Sequence, residues 1–295
     1  MKYIVTAFSI GMITFVFSCK PSNGKKTVIS NKVDSARTHL VETEQERLEK
    51  RKKWAELERI DSIRLDSVLQ EAIRRAAAKP DKRFNEEYVV TMPDSSTDVD
   101  VSISSDFYFT NEHPHLIVRR YRQGPIYINI FSKTGKGFRQ VLSSEELGLA
   151  YIGDTIFDVN GDHLKDFVVN GYGTSGCCLK GFSDVYLLRS DKRSFTSSFW
   201  FINPTFSPKE GMVRGICYGH PGETEMYKYR WNGEAVDTVE YVYYEKNDKD
   251  QKTGKLILSN NAPGSDNHKV LRRLIATPPE YEKIEGYDWF TGIGY

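Results

Sequence analysis

Apolar and polar positions divide the chain into four stretches of different period. Residues 4–17 are almost continuously apolar behind one basic residue, Lys2. That is the length of a signal-peptide core, and residues 1–18 are read as an export signal. The run is shorter than the ~20 residues a membrane-spanning helix needs. Residues 19–34 are polar, contain Gly, Pro, Ser and Asn, and have no period, which predicts a flexible tether. Residues 35–79 lack Gly and Pro and are dominated by Ala, Leu, Glu, Lys and Arg, with Pro80 as a stop. They predict a long charged α-helix over 35–80. Its apolar stripe, Trp54, Leu57, Leu65, Val68, Leu69, Ala72 and Ile73, is confined to the second half. That half is expected to dock on the globular domain or on another copy, and the first half to be a solvated stalk.

From residue 84 to residue 295 the pattern changes to short aromatic or β-branched runs separated by turn residues. Examples are 88–90, 99–103, 107–109, 116–118, 126–131, 185–188, 199–202, 226–231 and 239–244, with turns at Gly135, Asn232-Gly233 and Thr253-Gly254. This predicts an all-β globular domain, sandwich or barrel-like, large enough for one core. Residues 143–149 read as a single helical turn and residues 260–267 as a mobile loop.

Charge narrows the choice of partner. The chain carries 41 Lys and Arg against 40 Asp and Glu, a net charge of +1. Within residues 42–79, ten basic and nine acidic residues interleave. Glu46–Lys50, Glu49–Lys53 and Glu71–Arg75 lie at the i,i+4 spacing that supports an exposed helix. With no basic stripe, nucleic acid is excluded as a partner. Val16-Phe17-Ser18-Cys19, at the end of the apolar run, resembles a bacterial lipobox. The resemblance implies acylation of Cys19 and attachment to a bacterial envelope membrane, the outer membrane by default. Several acyl chains would hold the protein firmly where one binds only marginally.

The densest chemistry lies in Asp158-Val159-Asn160-Gly161-Asp162-His163-Leu164-Lys165-Asp166. Hard oxygens at positions 1, 3, 5 and 9, between apolar strand-like flanks, suit Ca²⁺, which takes roughly six to eight oxygen ligands. Asp158, Asn160, Asp162 and Asp166 would contribute side chains and Leu164 its main-chain carbonyl. The pattern is not an EF-hand, because position 12 is Val169 and the flanks are not helical. It resembles the calcium loops of the FG-GAP/VCBS repeat families, which usually carry Gly where this chain has His163. There is no second copy, which argues against a full propeller. A weaker resemblance is to envelope lipoproteins similar to periplasmic inhibitors of lysozyme-like enzymes.

Signals for catalysis are thin. Cys177, Cys178 and Cys217 fit a disulfide between Cys217 and one of the adjacent pair in an exported protein. His113-Pro114-His115 reads as a surface turn without a third metal ligand. Cys217 and His220 are near in sequence but better explained by the disulfide. Gly173-Thr174-Ser175-Gly176-Cys177 departs from a nucleophile elbow at its last position. The aromatics of 107–109, 199–201 and 241–244 could stack on a glycan, but in strands they more often fill cores. The expectation is therefore a lipid-anchored envelope protein whose calcium-stabilised β domain binds an envelope protein or glycan without catalysis. The alternatives are a periplasmic inhibitor or immunity protein of a peptidoglycan hydrolase, and a glycan- or peptide-cleaving enzyme.

Overall fold

A computed structural model describes residues 43–79, 81–92, 98–135, 137–174, 176 and 178–295. The chain has two structural units with the boundary after Lys53. A long helix α1 (Glu44–Ala78) begins at a capping box. The Glu46 amide donates to Thr43 Oγ1 and the Thr43 amide to Glu46 Oε2. The helix ends two residues before Pro80, as the composition predicted.

The second unit, Trp54 onward, holds the rest of α1 and an all-β domain whose strands form three antiparallel sheets. The first sheet contains β1 (Phe84–Val90), β2 (Val99–Asp106), β3 (His115–Arg122), β4 (Pro125–Thr134) and β5 (Gly137–Leu147). The second contains β6 (Tyr151–Phe157), β7 (Asp166–Tyr172), β8 (Gly181–Tyr186) and β9 (Phe199–Ile202). The third contains β10 (Pro204–Ser207), β11 (Met212–Ile216), β12 (Met226–Asn232), β13 (Ala235–Lys246), β14 (Lys252–Ser259) and β15 (Val270–Leu274). Within each sheet, every strand pairs with its neighbour in the chain.

Alternation along the strands stacks these sheets. Val99, Val101, Ile103, Leu116 and Val118 face Leu65, Val68, Leu69, Ala72 and Ala76 of α1. On the opposite side, Ile117, Ile126, Ile128 and Ile130 meet Phe167 and Val169 of the second sheet. The other face of that sheet, Val168, Val185 and Phe201, packs on Val213, Tyr227 and Tyr241 of the third. A C-terminal segment with Tyr281, Ile284 and Phe290 then covers Met226, Val242 and Leu258. Burial on both faces explains why β3 and β7 carry unbroken apolar runs instead of alternation. A short helix α2 (Tyr287–Thr291) closes the segment.

Four local expectations are corrected. Residues 143–149 are not a helical turn, because Ser143 to Leu147 complete the β4–β5 ladder opposite Asn129 to Pro125. Residues 107–109 leave the ladder after Asp106, although Phe109 is in the core. Trp54 and Leu57 do not join the docking stripe: Trp54 is 65% exposed and burial begins at Leu65. The 260–267 loop is cross-tied, with the Lys269 amide donating to Asn260 Oδ1 at 2.7 Å and Asn260 Nδ2 to the Asn267 carbonyl at 3.1 Å.

Candidate functional site

The nine-residue loop joins β6 to β7. Gly161 and His163 both take positive φ, 86° and 68°. His163 therefore occupies a left-handed position of the kind that favours Gly, a conformation His adopts more readily than bulky residues do. Gly161 is required for a further reason. A Cβ there would lie 2.2 Å from the Pro208 carbonyl oxygen, so the loop seats directly against the third sheet's first hairpin. Val159 is fully buried between the same two sheets.

The loop's acceptors are turned onto its own backbone. Asp158 accepts the amides of Gly161 at 2.6 Å and His163 at 3.0 Å. Asn160 Oδ1 accepts the Asp162 amide, and Asp162 accepts the Leu164 amide at 2.8 Å and Asn160 Nδ2 at 3.1 Å. Asp166 is 0% exposed and accepts Val159 N–H at 3.0 Å and Leu188 N–H at 2.9 Å. Burial pushes its carboxyl up to about 7, reinforced by Asp162 and Asp158 and opposed by the two amides. The donor chemistry suits a hard dication, but the placement does not. Among the described residues, no three His, Cys, Asp or Glu side chains converge as a metal-holding group. For an ion to be gathered, these oxygens would have to give up the backbone amides they accept.

The other singled-out residues are dispersed. Cys19 lies outside the described residues, as do Ser175 and Cys177 of the elbow-like turn. Cys178 and Cys217 are not joined to each other. Burial pushes the Cys217 thiol up to about 12, which removes the thiolate a nucleophile needs. His115 is not on a surface turn: it is 1% exposed at the head of β3, edge-on to Phe109 with ring centroids 5.0 Å apart.

No motif marks a cleft of about 790 Å³ that is formed by the second sheet, β10 and the C-terminal segment. Its floor follows from strand parity. Asn170 has the parity of Val168 on β7, Ser183 that of Val185 on β8, and Thr155 pairs with Val168, so all three lie on the face toward the third sheet. They form a side-chain chain: Ser183 Oγ donates to Asn170 Oδ1 at 2.9 Å, and Asn170 Nδ2 to Thr155 Oγ1 at 3.3 Å. Phe157, Tyr172, Phe206, Trp289 and Tyr295 line the cleft with aromatic surface. Trp289 is fixed by its indole N–H to the Gly219 carbonyl at 2.9 Å, and the Tyr295 ring stands edge-on to it at 4.7 Å. Carboxylates come from Glu285 and Asp288, and among the described residues no Lys or Arg lines the cleft; Asp154, paired with Val169, turns its side chain to the face toward the first sheet. Asp154 is held by Arg119 in a two-pronged ion pair, 2.7 and 2.5 Å, and also accepts the Tyr151 hydroxyl at 2.7 Å.

Comparison with known proteins adds little. No family model matches the sequence, nor does a curated protein. A solved structure, described as that of a Xanthomonas type IV secretion system related protein, is similar over 64% of this chain and 100% of its own, at 10% identity and a TM-score of 0.32. A likeness that low carries no argument about either fold or function. Among the described residues, no helix is long and apolar enough to cross a membrane.

Proposed function

We propose that this chain is a binding module of the bacterial cell envelope, held to a membrane through an acylated Cys19, whose β domain captures a ligand without transforming it. The observation that carries the binding part is the cleft, preformed and of a volume within the roughly 300–1,000 Å³ usual for small-ligand sites. Its acids support capture over turnover. Asp154 is held by Arg119 and Tyr151 on the sheet's other face, leaving Glu285 and Asp288, of which Asp288 accepts the Tyr295 hydroxyl at 3.2 Å. The membrane part rests on the apolar leader and Cys19. Ca²⁺ enters as a structural ion of the 158–166 loop on donor chemistry alone, its binding requiring Asp158, Asn160 and Asp162 to exchange their backbone amides for the ion.

The test is to incubate the intact chain with envelope glycan preparations and with peptide substrates, following retention and new chain ends together. Saturable retention with no new reducing or amino ends is the expected result. Turnover that disappears in an Asp288→Asn, Glu285→Gln double variant would replace the module with an enzyme. Radiolabelled palmitate incorporated by the intact chain, and absent from Cys19→Ala, tests the anchor.

A further inference from the structure

Resting on the binding-module reading, we propose that the cleft takes a short oligosaccharide, neutral or amino-bearing, with its rings against the aromatic walls and its hydroxyls on the Thr155–Asn170–Ser183 chain. Three features select this class.

The floor is the face of a sheet whose inner strands, β7 and β8, are hydrogen-bonded on both sides. Their main-chain groups are therefore spent, and a peptide cannot add itself as a further strand there. Recognition falls to side chains. An amide offers two donors and two acceptor lone pairs, and each hydroxyl can both give and take. Asn170 uses one Oδ1 contact and one Nδ2 contact within the chain, so hydrogen-bonding capacity remains for ligand hydroxyls of either polarity. A purely apolar ligand would desolvate this chain without replacing its water, which costs free energy.

The second feature is the pairing of aromatic faces with that polar floor. Open rings such as Tyr172 and Tyr295, 45% and 67% exposed, give contact area, with Trp289 buried behind Tyr295, while the polar floor fixes orientation. The third is charge. Asp154 turns to Arg119 on the opposite face of the sheet, so Glu285 and Asp288 set the charge, with no cation among the described lining residues. This disfavours uronic acids, sialic acids and phosphorylated sugars, and tolerates an amino sugar.

The experiment titrates the intact chain by calorimetry with chitotriose, cellotriose and maltotriose, with a galacturonic acid trimer as the anionic control and a lysine-rich peptide as the cationic one. Asn170→Ala breaks the polar floor. Tyr295→Ala removes an aromatic that is 67% exposed and so spares the fold. The expected result is saturable binding of at least one neutral trisaccharide, weakened about tenfold or more by Asn170→Ala and several-fold by Tyr295→Ala, with the anionic trimer at least about tenfold weaker. Three results would overturn the assignment: no trisaccharide binding, binding indifferent to both variants, or preference for the anionic trimer. Binding of the lysine-rich peptide alone, lost in both variants, would discard the saccharide and keep the module. Cleavage of a bound saccharide would discard the module and keep the saccharide.

Discussion

At the residue scale, a buried histidine and a half-buried aspartate pull the domain's stability in opposite directions with pH. Burial lowers His115 to about 4 from its ordinary 6.5, with His113 adding to the shift. The unfolded chain therefore takes up a proton that the folded one refuses. Stability is complete above pH ~6.5 and falls as the pH drops toward 4, by on the order of 2–3 kcal/mol. Asp184 behaves inversely. Burial, helped by Glu146, raises its carboxyl to about 6. Between pH ~4 and ~6 the folded state holds the extra proton, and that advantage is lost as the pH rises. Melting at pH 7 and pH 4.5 should show a smaller acid loss in His115→Phe than in the parent, and Asp184→Asn should melt higher than the parent at pH 8. The sequence exposed neither group. A histidine beside Pro114 looks like a turn residue until the Phe109 ring is found against it, and Asp184 acquires its environment from a different sheet.

At the element scale, the loop shows how far local pattern reaches. Alternate Asp and Asn residues announced a tight turn, and the positive φ of His163 and Gly161 is the backbone form of that announcement. The partner of each oxygen was not legible, since a carboxylate that can bind an ion can equally cap amides a few residues on. Adding Ca²⁺ should raise the melting temperature of the intact chain by several degrees over chelator, with no rise in an Asp158→Ala, Asp162→Ala double variant. Equal melting throughout would leave a self-capped turn. Gly161→Ala should destabilise by roughly 2 kcal/mol whatever the ion does, from the left-handed backbone and the collision with Pro208. Denaturant melts with and without chelator separate the two effects. The helix was read in a similar way. Its composition gave its existence and its end, and Leu65 to Ala76 gave its docking face, whereas Trp54 and Leu57 share the spacing but find no sheet beneath them.

At the scale of the whole molecule, α1 is structural covering for the first sheet. Arg120, 5% exposed in that sheet, donates to the Leu65 carbonyl at 2.5 Å and to Asn129 at 2.9 Å, and Arg122 pairs with Asp61 at 3.1 Å. A chain shortened to begin at Phe84 should expose Val99, Val101 and Leu116, and sediment as aggregate. One beginning at Trp54 should keep the cooperative melt of the intact chain. Arg120→Met should fall between them, losing on the order of 1–3 kcal/mol for the unpaired helix carbonyl and Asn129. The all-β class and the preceding helix were legible because strand punctuation and helix composition are local properties. The stacking order and the cleft were not, since Asn170 meets Trp289 and Tyr295 only after three sheets and a C-terminal segment have assembled.

The neighbour-to-neighbour order of all three sheets also bears on how the chain acquires its form. A strand that pairs only with the one just before or after it closes short loops, and short loops cost little entropy to close. Each sheet can thus zip as a self-contained hairpin series, β1 to β5 without waiting for β10. What remains is the face-to-face mergers, among them the seating of Tyr281 and Phe290 on the third sheet.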